Sequence, residues 1–218
     1  MNEYNVLLKK YNSSNKNNVT VVDVNKNNSY NFPLINQYPK YPTGCESVAL
    51  TMLLQYYGIN VTPDMVISKL KKGSLPSYKN GIYYGGNPEI HFVGDPYSYY
   101  SYGVYEKPIA EVANMYKKGI NIKSNFPFSE VVSIVQSGTP VMVWTSMNLK
   151  VPYISTSWIY EPTGETISWK ANEHAVVVVD VNDTSVVIAD PIGGELKTFS
   201  RSLFEQRYDY FGKKALYY

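Results

Sequence analysis

The sequence predicts an α+β fold, in which a helical N-terminal part packs on an antiparallel β-sheet supplied by the C-terminal part. Segments with helical character come first along the chain and end before residue 139. From residue 139 onward the chain turns to runs rich in Val, Ile, Thr and Trp, which are typical of strands. Helices followed by strands favour an α+β arrangement with an antiparallel sheet.

The composition is that of one globular domain. Of 218 residues, 44% are hydrophobic and 17% are charged, so disorder is not the expected state. Residues 1–31 are rich in Asn, Lys and Ser and predict a loosely attached arm, whereas residues 32–218 are expected to form a single domain. A net charge of +2 from scattered Lys and Arg gives no basic stripe that would indicate nucleic-acid binding.

The N-terminal segment does not resemble a targeting sequence. No apolar run approaches the roughly 18 residues that a membrane helix needs, so no transmembrane segment is predicted. The first residues, "MNEYNVLLKKYNSSNKNN", lack the basic and apolar regions of a signal peptide. The protein is expected in the cytoplasm, or secreted or attached to the cell envelope if a leader has been removed. A monomer is expected.

The first helix is predicted to begin near Cys45 and to end before Gly58, a candidate C-terminal stop. The apolar residues after the cysteine recur at helical spacing and share one face: Ala49, Met52, Leu53 and Tyr56. A second helix is predicted over residues 63–72, where Thr62 is a candidate cap and Pro63 occupies the first position.

The remaining elements follow in two groups. Residues 73–105 are rich in Gly, Pro and Tyr without a sustained period, so they predict a long irregular segment. Two helices are then predicted, at "EKPIAEVANMYKKG" and "PFSEVVSIVQSG". Strands are predicted at "TPVMVWTSM", "TISWK", "HAVVVVDV", "SVVIAD" and "ALYY".

Cys45 is the single cysteine of the chain. It excludes an internal disulfide and any metal site built from several thiolates. With His91 and His174 as the only histidines, a structural zinc site is not expected, and neither is a cofactor. A lone cysteine is more often a small buried hydrophobe than a nucleophile, and both interpretations apply here.

Three local features favour the nucleophile. Thr43 and Glu46 have the spacing of a capping box, which predicts Thr43 as the N-cap and Cys45 as the second helical residue. A thiol in the first helical turn is expected to have a pKa below its usual value. Cys45 also begins the apolar face, at the edge of the core. Gly44 is a candidate substrate-binding residue because it lets a substrate backbone approach closely.

His174 is the better candidate for a base that serves this thiol. His91 lies in the irregular segment and has no evident orienting partner. A hairpin of "HAVVVVDV" and "SVVIAD" centred on Asn182 would place His174 opposite Asp190, close enough for a carboxylate to meet the imidazole. This register requires a loop of odd length, since a two-residue turn would direct Asp190 to the other face. Asp190 also starts "DPIGG", which is equally typical of an ordinary turn.

The residue types suit acyl transfer. In that chemistry Cys45 attacks a carbonyl carbon, His174 accepts and returns the proton, and Asp190 orients the imidazole. An oxyanion hole could use the Cys45 backbone N–H and the side-chain amide of Gln37, with Asn36 as a weaker candidate. Both amides are equally explained as polar loop residues.

The stretch "INQYPKYPTGCESVALTMLLQYYG", followed far downstream by "HAVVVVDVNDTSVVIADPIGG", resembles the peptidase C39-like family of bacterial papain-fold proteins and the wider C39 group of bacteriocin-leader peptidases. The resemblance covers residues 33–218, including "FVGDPYSYYSYGVY". It implies a papain-like cysteine proteinase fold. It also implies these roles: Cys45 as nucleophile, His174 as base, Asp190 as orienter and Gln37 as oxyanion donor. No metal or cofactor is implied.

The expected activity is therefore thiol-dependent cleavage of a peptide or amide bond, with a peptide or cell-wall-derived substrate. Two alternatives remain open at this point. An acyltransferase would use the same residues, with an amine in place of water. A non-catalytic peptide- or glycan-binding module would use the eight tyrosines of residues 78–105, among which Tyr102 is a candidate substrate contact.

Overall fold

The computed structural model describes residues 31–218. The arm predicted for residues 1–31 therefore lies outside the described residues, apart from its last position. Five α-helices occur in the described part of the chain: α1 (Cys45–Tyr56), α2 (Pro63–Lys69), α3 (Glu106–Tyr116), α4 (Phe128–Gln136) and α5 (Arg201–Tyr210).

Twelve strands accompany these helices over residues 31–218. The first five precede α4: β1 (Lys72–Gly73), β2 (Ser77–Lys79), β3 (Ile82–Tyr84), β4 (Phe92–Val93) and β5 (Asn121–Lys123). The other seven follow α4: β6 (Val141–Ser146), β7 (Ile154–Tyr160), β8 (Glu165–Lys170), β9 (Glu173–Val181), β10 (Ser185–Asp190), β11 (Glu195–Ser200) and β12 (Ala215–Tyr217). A 3₁₀ turn, Met147–Leu149, links β6 to β7.

The centre of the molecule is a six-stranded sheet with the order β11-β10-β9-β6-β12-β5. Every neighbouring pair in it is antiparallel, so the antiparallel sheet predicted from the sequence is confirmed. Successive side chains of a strand point to opposite faces. Along β9, Ala175 and Val177 accordingly join the core beneath α1, whereas Val176 and Val178 join a second core.

Helices cover both faces of this sheet. On one face α1 and α3 pack through wholly buried residues such as Leu53 and Ile109 against Trp144 of β6. On the other face α4 and α5 pack through Phe128 and Phe204, whose ring centroids lie 5.7 Å apart. The nine residues of β9 thus run between two apolar layers, and its N-terminal end carries the histidine predicted as the base.

The ends of the first two helices are largely as the sequence predicts. α1 ends at Tyr56, and Gly58 follows with a φ of +77°. The Ile59 N–H donates to the Leu54 carbonyl and the Gly58 N–H to Gln55, which is a Schellman arrangement. In α2, Thr62 accepts a hydrogen bond from the Met65 N–H, which confirms the predicted cap. This helix ends at Lys69 instead of residue 72.

The segment from residue 73 to 105 contains more structure than the sequence predicts. β1 pairs in parallel with β4, and β2 and β3 form a hairpin. β3 also joins β7 and β8 in a second sheet with the order β2-β3-β7-β8. The strands β1 to β4 are only two or three residues long, too short for a hydrophobic period to reveal them. Over residues 31–218 no helix has the length and apolar character needed to cross a membrane.

Candidate active site

Cys45 is the first residue of α1, and Gly44 is the N-cap without a side-chain cap. The predicted capping box is wrong. The Thr43 hydroxyl donates instead to the carbonyls of Ser98, at 2.9 Å, and Asp95, at 3.3 Å, which tie it to a neighbouring loop. Glu46 is directed inward, where its Oε1 accepts the Val104 N–H at 2.8 Å. Cys45 is consequently the first helical residue and not the second.

The loop before Cys45 is fixed to the turn that follows Asp190. The Gln37 N–H donates to the Pro191 carbonyl at 2.8 Å, and the Gly193 N–H donates to Asn36 Oδ1 at 3.3 Å. Gly194 has a φ of +62°, and a Cβ placed there would lie 2.5 Å from the Asn36 backbone nitrogen. The loop that precedes Cys45 and the turn that follows Asp190 therefore pack together as one unit.

We expect Gly194→Ala to destabilise the protein more than Gly164→Ala, a matched control in another hairpin turn. Gly164 has a φ of +72° but no atom within 4 Å of an added Cβ, so its substitution costs about 1–2 kcal/mol of backbone strain. At Gly194 the overlap with the Asn36 backbone adds about 1–3 kcal/mol. Urea unfolding of both variants measures the difference. Equal losses would contradict this packing of the two loops.

Gln37 is buried, and its side-chain amide is used by its own loop. Nε2 donates to the carbonyls of Tyr41, at 3.2 Å, and Pro42, at 3.1 Å. Both amide hydrogens are thus occupied, while the buried Oε1 has no hydrogen-bond partner. In this conformation Gln37 shapes the loop that delivers Cys45, and its role as oxyanion donor stays a prediction. Asn36 is exposed and likewise serves the loop, since its Oδ1 accepts the Tyr38 N–H.

Three other candidates occupy packing positions. A Cβ on Gly44 would lie 3.0 Å from Tyr41 Cβ and 3.2 Å from Pro96 Cβ, so the protein itself occupies that space. Tyr102 is half-buried, with its ring 4.9 Å from Trp158 and 5.4 Å from Trp169. Its role in substrate binding stays a prediction. His91 packs against Gly73 and lies 6.2 Å from the Tyr160 ring.

His174 and Asp190 form a buried pair. His174 Nε2 lies 2.6 Å from Asp190 Oδ1, and the two side chains are 2% and 1% exposed. The second carboxylate oxygen accepts from Lys197 Nζ at 2.8 Å. Burial alone would raise the pKa of Asp190, but His174 and Lys197 together hold it below its usual value. The Nδ1 atom of His174 is buried and has no hydrogen-bond partner.

The predicted hairpin register is wrong, although the two side chains meet. Val181 pairs with Val186 across a four-residue loop, and Asp180 pairs with Val187. A bulge at Val179 then shifts the register, so that the next pair is Val178 with Ile188. If this register continues to the end of the strand, Asp190 lies opposite Val176. Val176 is two residues from His174, so Asp190 and His174 point to the same face of the sheet. Without the bulge Asp190 would face the opposite side of the sheet.

The thiol of Cys45 faces carboxyl groups. Its Sγ donates to Glu46 Oε2 at 3.4 Å, and the Glu173 carboxyl also lies within 4.8 Å. Burial raises the pKa of Cys45 well above its usual value, and Glu46 and Glu173 raise it further, against a hydrogen bond from the Ala175 backbone. The lowered thiol pKa expected from the helix N-terminus is therefore wrong in this conformation, because desolvation and two carboxyls outweigh the dipole.

Alternation along β9 explains which side chains surround the sulfur. Glu173 continues the face of Ala175, which α1 covers, whereas His174 continues the face of Val176. The sulfur therefore lies beside the Glu173 carboxyl, on the face of β9 opposite to His174. No hydrogen bond joins it to His174 Nδ1.

Cys45, Glu46 and Glu173 are also the residues that could hold a metal ion, since their ligand atoms lie within 4.8 Å of one another. A thiolate with two carboxylates is a chemically possible set of zinc ligands. Here, however, both Glu46 oxygens already accept hydrogen bonds, from Val104 N–H and from the thiol. These contacts favour a cluster that holds protons over one that holds a metal.

Three residues of this site were not identified from the sequence: Glu173, Lys197 and, in its observed role, Glu46. Glu173 precedes the predicted strand "HAVVVVDV" by one position, and strand alternation extended to it would have placed it beneath α1. Lys197 lies on β11 opposite Ile188, on the face of Asp190. That strand was not predicted, so the sequence offered no signal for its lysine.

Comparison with known proteins gives concordant results. The sequence model of the peptidase C39-like family matches residues 29–216. The uncharacterised protein YvpB of Bacillus subtilis strain 168 is 30% identical over 179 residues, which cover 82% of this chain and 70% of that protein. A crystal structure from Bacillus anthracis, provisionally identified as a C39-like peptidase, superposes with a TM-score of 0.78 at 31% identity. The match covers 87% of this chain and 95% of that one.

Proposed function

The chain belongs to the peptidase C39-like family, and we propose that it is a thiol-dependent hydrolase that cleaves a peptide or amide bond. The observation that carries the proposal is the buried His174–Asp190 pair, in which the carboxylate contacts Nε2 and the Nδ1 atom has no hydrogen-bond partner. His174 directly follows Glu173, whose carboxyl lies within 4.8 Å of the Cys45 sulfur. We infer a papain-like arrangement, in which the nucleophile helix α1 meets the sheet strand that carries the base.

His174 is suited to act as a general base through Nδ1. Asp190 accepts from Nε2 and so fixes the tautomer in which Nδ1 is the acceptor. The reaction requires the sulfur to leave Glu46 and approach Nδ1. The thiol proton then moves to Nδ1, and the sulfur attacks the carbonyl carbon of the substrate. Lys197 holds the far side of Asp190 and keeps the carboxylate ionised.

The intermediates follow from this assignment. As the new S–C bond forms, negative charge develops on the carbonyl oxygen, where the Cys45 N–H at the start of α1 is a suitable donor. Collapse breaks the C–N bond, and the imidazolium returns its proton to the departing amine. Water then hydrolyses the thioester with His174 as base. An amine in place of water would give acyl transfer by the same steps.

The proposal is tested with a mixture of synthetic peptides of diverse sequence, including branched peptides of the cell-wall type. The wild-type protein should release new N-termini that mass spectrometry detects, and Cys45→Ala should release none. The variant retains the buried position with a smaller side chain, so its folding is checked by circular dichroism. Equal cleavage by both proteins would contradict a thiol-dependent reaction. Added amines that appear in the products would indicate acyl transfer.

A further inference from the structure

Two buried carboxyl groups flank the Cys45 sulfur. Glu46 is wholly buried on α1, and Glu173 is 8% exposed at the start of β9. Their oxygens and the sulfur lie within 4.8 Å of one another. Among residues 31–218, no Lys or Arg forms an ion pair with either group. The nearby Lys214 is engaged by Glu89 and Glu106.

The two carboxyl groups have different hydrogen-bond environments. Glu46 is held at both oxygens, since Oε1 accepts the Val104 N–H and Oε2 accepts the thiol. Glu173 Oε1, in contrast, is buried without a partner. The backbone at Gly103 passes close to both groups, because a Cβ there would lie 2.5 Å from Glu46 Oε1 and 3.1 Å from Glu173 Oε2. The pair is thus enclosed and kept from water.

Two carboxylates this close in a buried site do not both ionise at neutral pH. Burial raises the pKa of Glu46 to about 7, against the stabilising backbone hydrogen bonds. Burial and the neighbouring Glu46 raise the pKa of Glu173 well above its usual value. Glu46, which has the donors, is therefore the group that ionises first, and Glu173 retains its proton.

We propose that Glu46 is a positioning residue that holds the Cys45 thiol protonated and turned away from His174, while the proton kept on Glu173 limits the pair to one negative charge. This inference rests on the proposed function, since the thiol must leave Glu46 before it reacts. The step transfers one proton: the S–H···Oε2 bond breaks, the sulfur turns to Nδ1, and the S–H proton moves there. Thiolate and imidazolium result, and no further reactant is needed.

The effect of Glu46 on the Cys45 thiol depends on pH in a defined direction. The titratable groups that face the pair are Cys45 on α1 and Tyr105 on the segment that covers it, and burial and Glu173 raise the phenol pKa of Tyr105. His174 follows Glu173 along β9 but points to the other face of the strand. Below about pH 7 Glu46 is protonated and opposes a neighbouring thiolate weakly. Above that pH its carboxylate opposes the thiolate and retains the thiol proton. The restraint on Cys45 therefore grows as the pH rises.

The test is the alkylation rate of Cys45 by iodoacetamide, read as an intact-mass shift, because the chain has one cysteine. Glu46→Gln keeps an acceptor for the Val104 N–H and removes the charge. The ratio of its rate to wild type should be close to one at about pH 5.5 and about ten at about pH 8.5. Glu130→Gln, an exposed control on α4, should give a ratio of one throughout. A ratio for Glu46→Gln that does not change with pH would overturn the proposal.

Glu173→Gln gives an independent measurement if Glu46→Gln does not fold. A carboxyl group whose folded pKa is raised stabilises the fold fully below its unfolded pKa and loses that contribution as the pH rises through the folded pKa. The Gln variant, which mimics protonated Glu173, should therefore gain thermal stability relative to wild type as the pH increases. A stability difference that is constant with pH would count against the shared proton.

His174→Ala separates this inference from the proposed function. If His174→Ala slows alkylation in the wild-type and Glu46→Gln backgrounds while Glu46→Gln itself has no effect, the function stands and the positioning role of Glu46 fails. If Glu46→Gln has its pH-dependent effect but His174→Ala has none, the carboxyl pair governs the thiol and the assignment of His174 as base fails.

Discussion

Replacement of His174 by Ala should slow peptide cleavage by about 10²- to 10⁴-fold, the range that a general base contributes. It should also slow alkylation of Cys45 at neutral pH. The reason is that burial and two carboxyls raise the pKa of the thiol, so that it needs a local acceptor to lose its proton. Within residues 31–218, His174 is the histidine whose buried ring contacts a carboxylate through one nitrogen and leaves the other, Nδ1, without a partner. Steady-state cleavage and alkylation rates measure the two effects.

His91→Ala is the matched control, since it removes the other histidine of the chain. His91 packs against Gly73 of β1 and near Tyr160 of β7. Its contacts are therefore with the small sheets and not with the Cys45 sulfur. Its replacement should leave both rates within about twofold of wild type, as expected of a residue outside the reacting atoms. Loss of activity in His91→Ala with an active His174→Ala would reverse the assignment of the base.

The fold could be predicted from the sequence where short-range patterns determine it. α1 and its Gly58 stop, the Thr62 cap of α2 and the Val-rich strands β9 and β10 all follow from local spacing. The sequence does not predict three elements: the strands β7 and β11 and the helix α5. Their residues are largely polar or half-buried, so their formation depends on the neighbouring elements that they contact.

The hairpin of β9 and β10 shows why a strand register cannot be obtained by counting residues along the sequence. The predicted opposition of His174 and Asp190 assumed a uniform ladder through an odd loop. The structure combines a four-residue loop with a bulge at Val179, and together they restore the face that the prediction required. A bulge adds one unpaired residue to a strand and changes which residues lie opposite each other beyond it, so counting from the turn misses the shift.

The electrostatics of the thiol could not be predicted for a related reason. The groups that surround it come from three distant segments, at Glu46, at residues 103–105 and at Glu173. The spacing from Thr43 predicts Glu46 in the helix cap, whereas its carboxyl points into the core and accepts the Val104 N–H. Only the tertiary fold turns two ordinary acidic residues into a buried pair next to the Cys45 thiol.

Lys214→Met should lower the free energy of unfolding by about 3–5 kcal/mol, the usual cost of leaving one member of a buried ion pair alone. Lys214 Nζ lies 2.6 Å from Glu106 Oε2 and 2.8 Å from Glu89 Oε1, and its side chain is 10% exposed. Glu106 is wholly buried on α3, so without the lysine its carboxylate has lost its compensating charge. Urea unfolding at neutral pH measures the loss.

The chain offers a control with the same geometry and a different environment. Lys40 Nζ also lies 2.6 Å from a carboxylate oxygen, that of Asp64, but the two side chains are 59% and 44% exposed. Lys40→Met should therefore change stability little, because water screens that pair in the folded protein and solvates the remaining carboxylate. The double variant Lys214→Met/Glu106→Gln should recover part of the loss by removing the stranded charge. Equal effects of Lys214→Met and Lys40→Met would mean that burial does not determine the strength of these ion pairs.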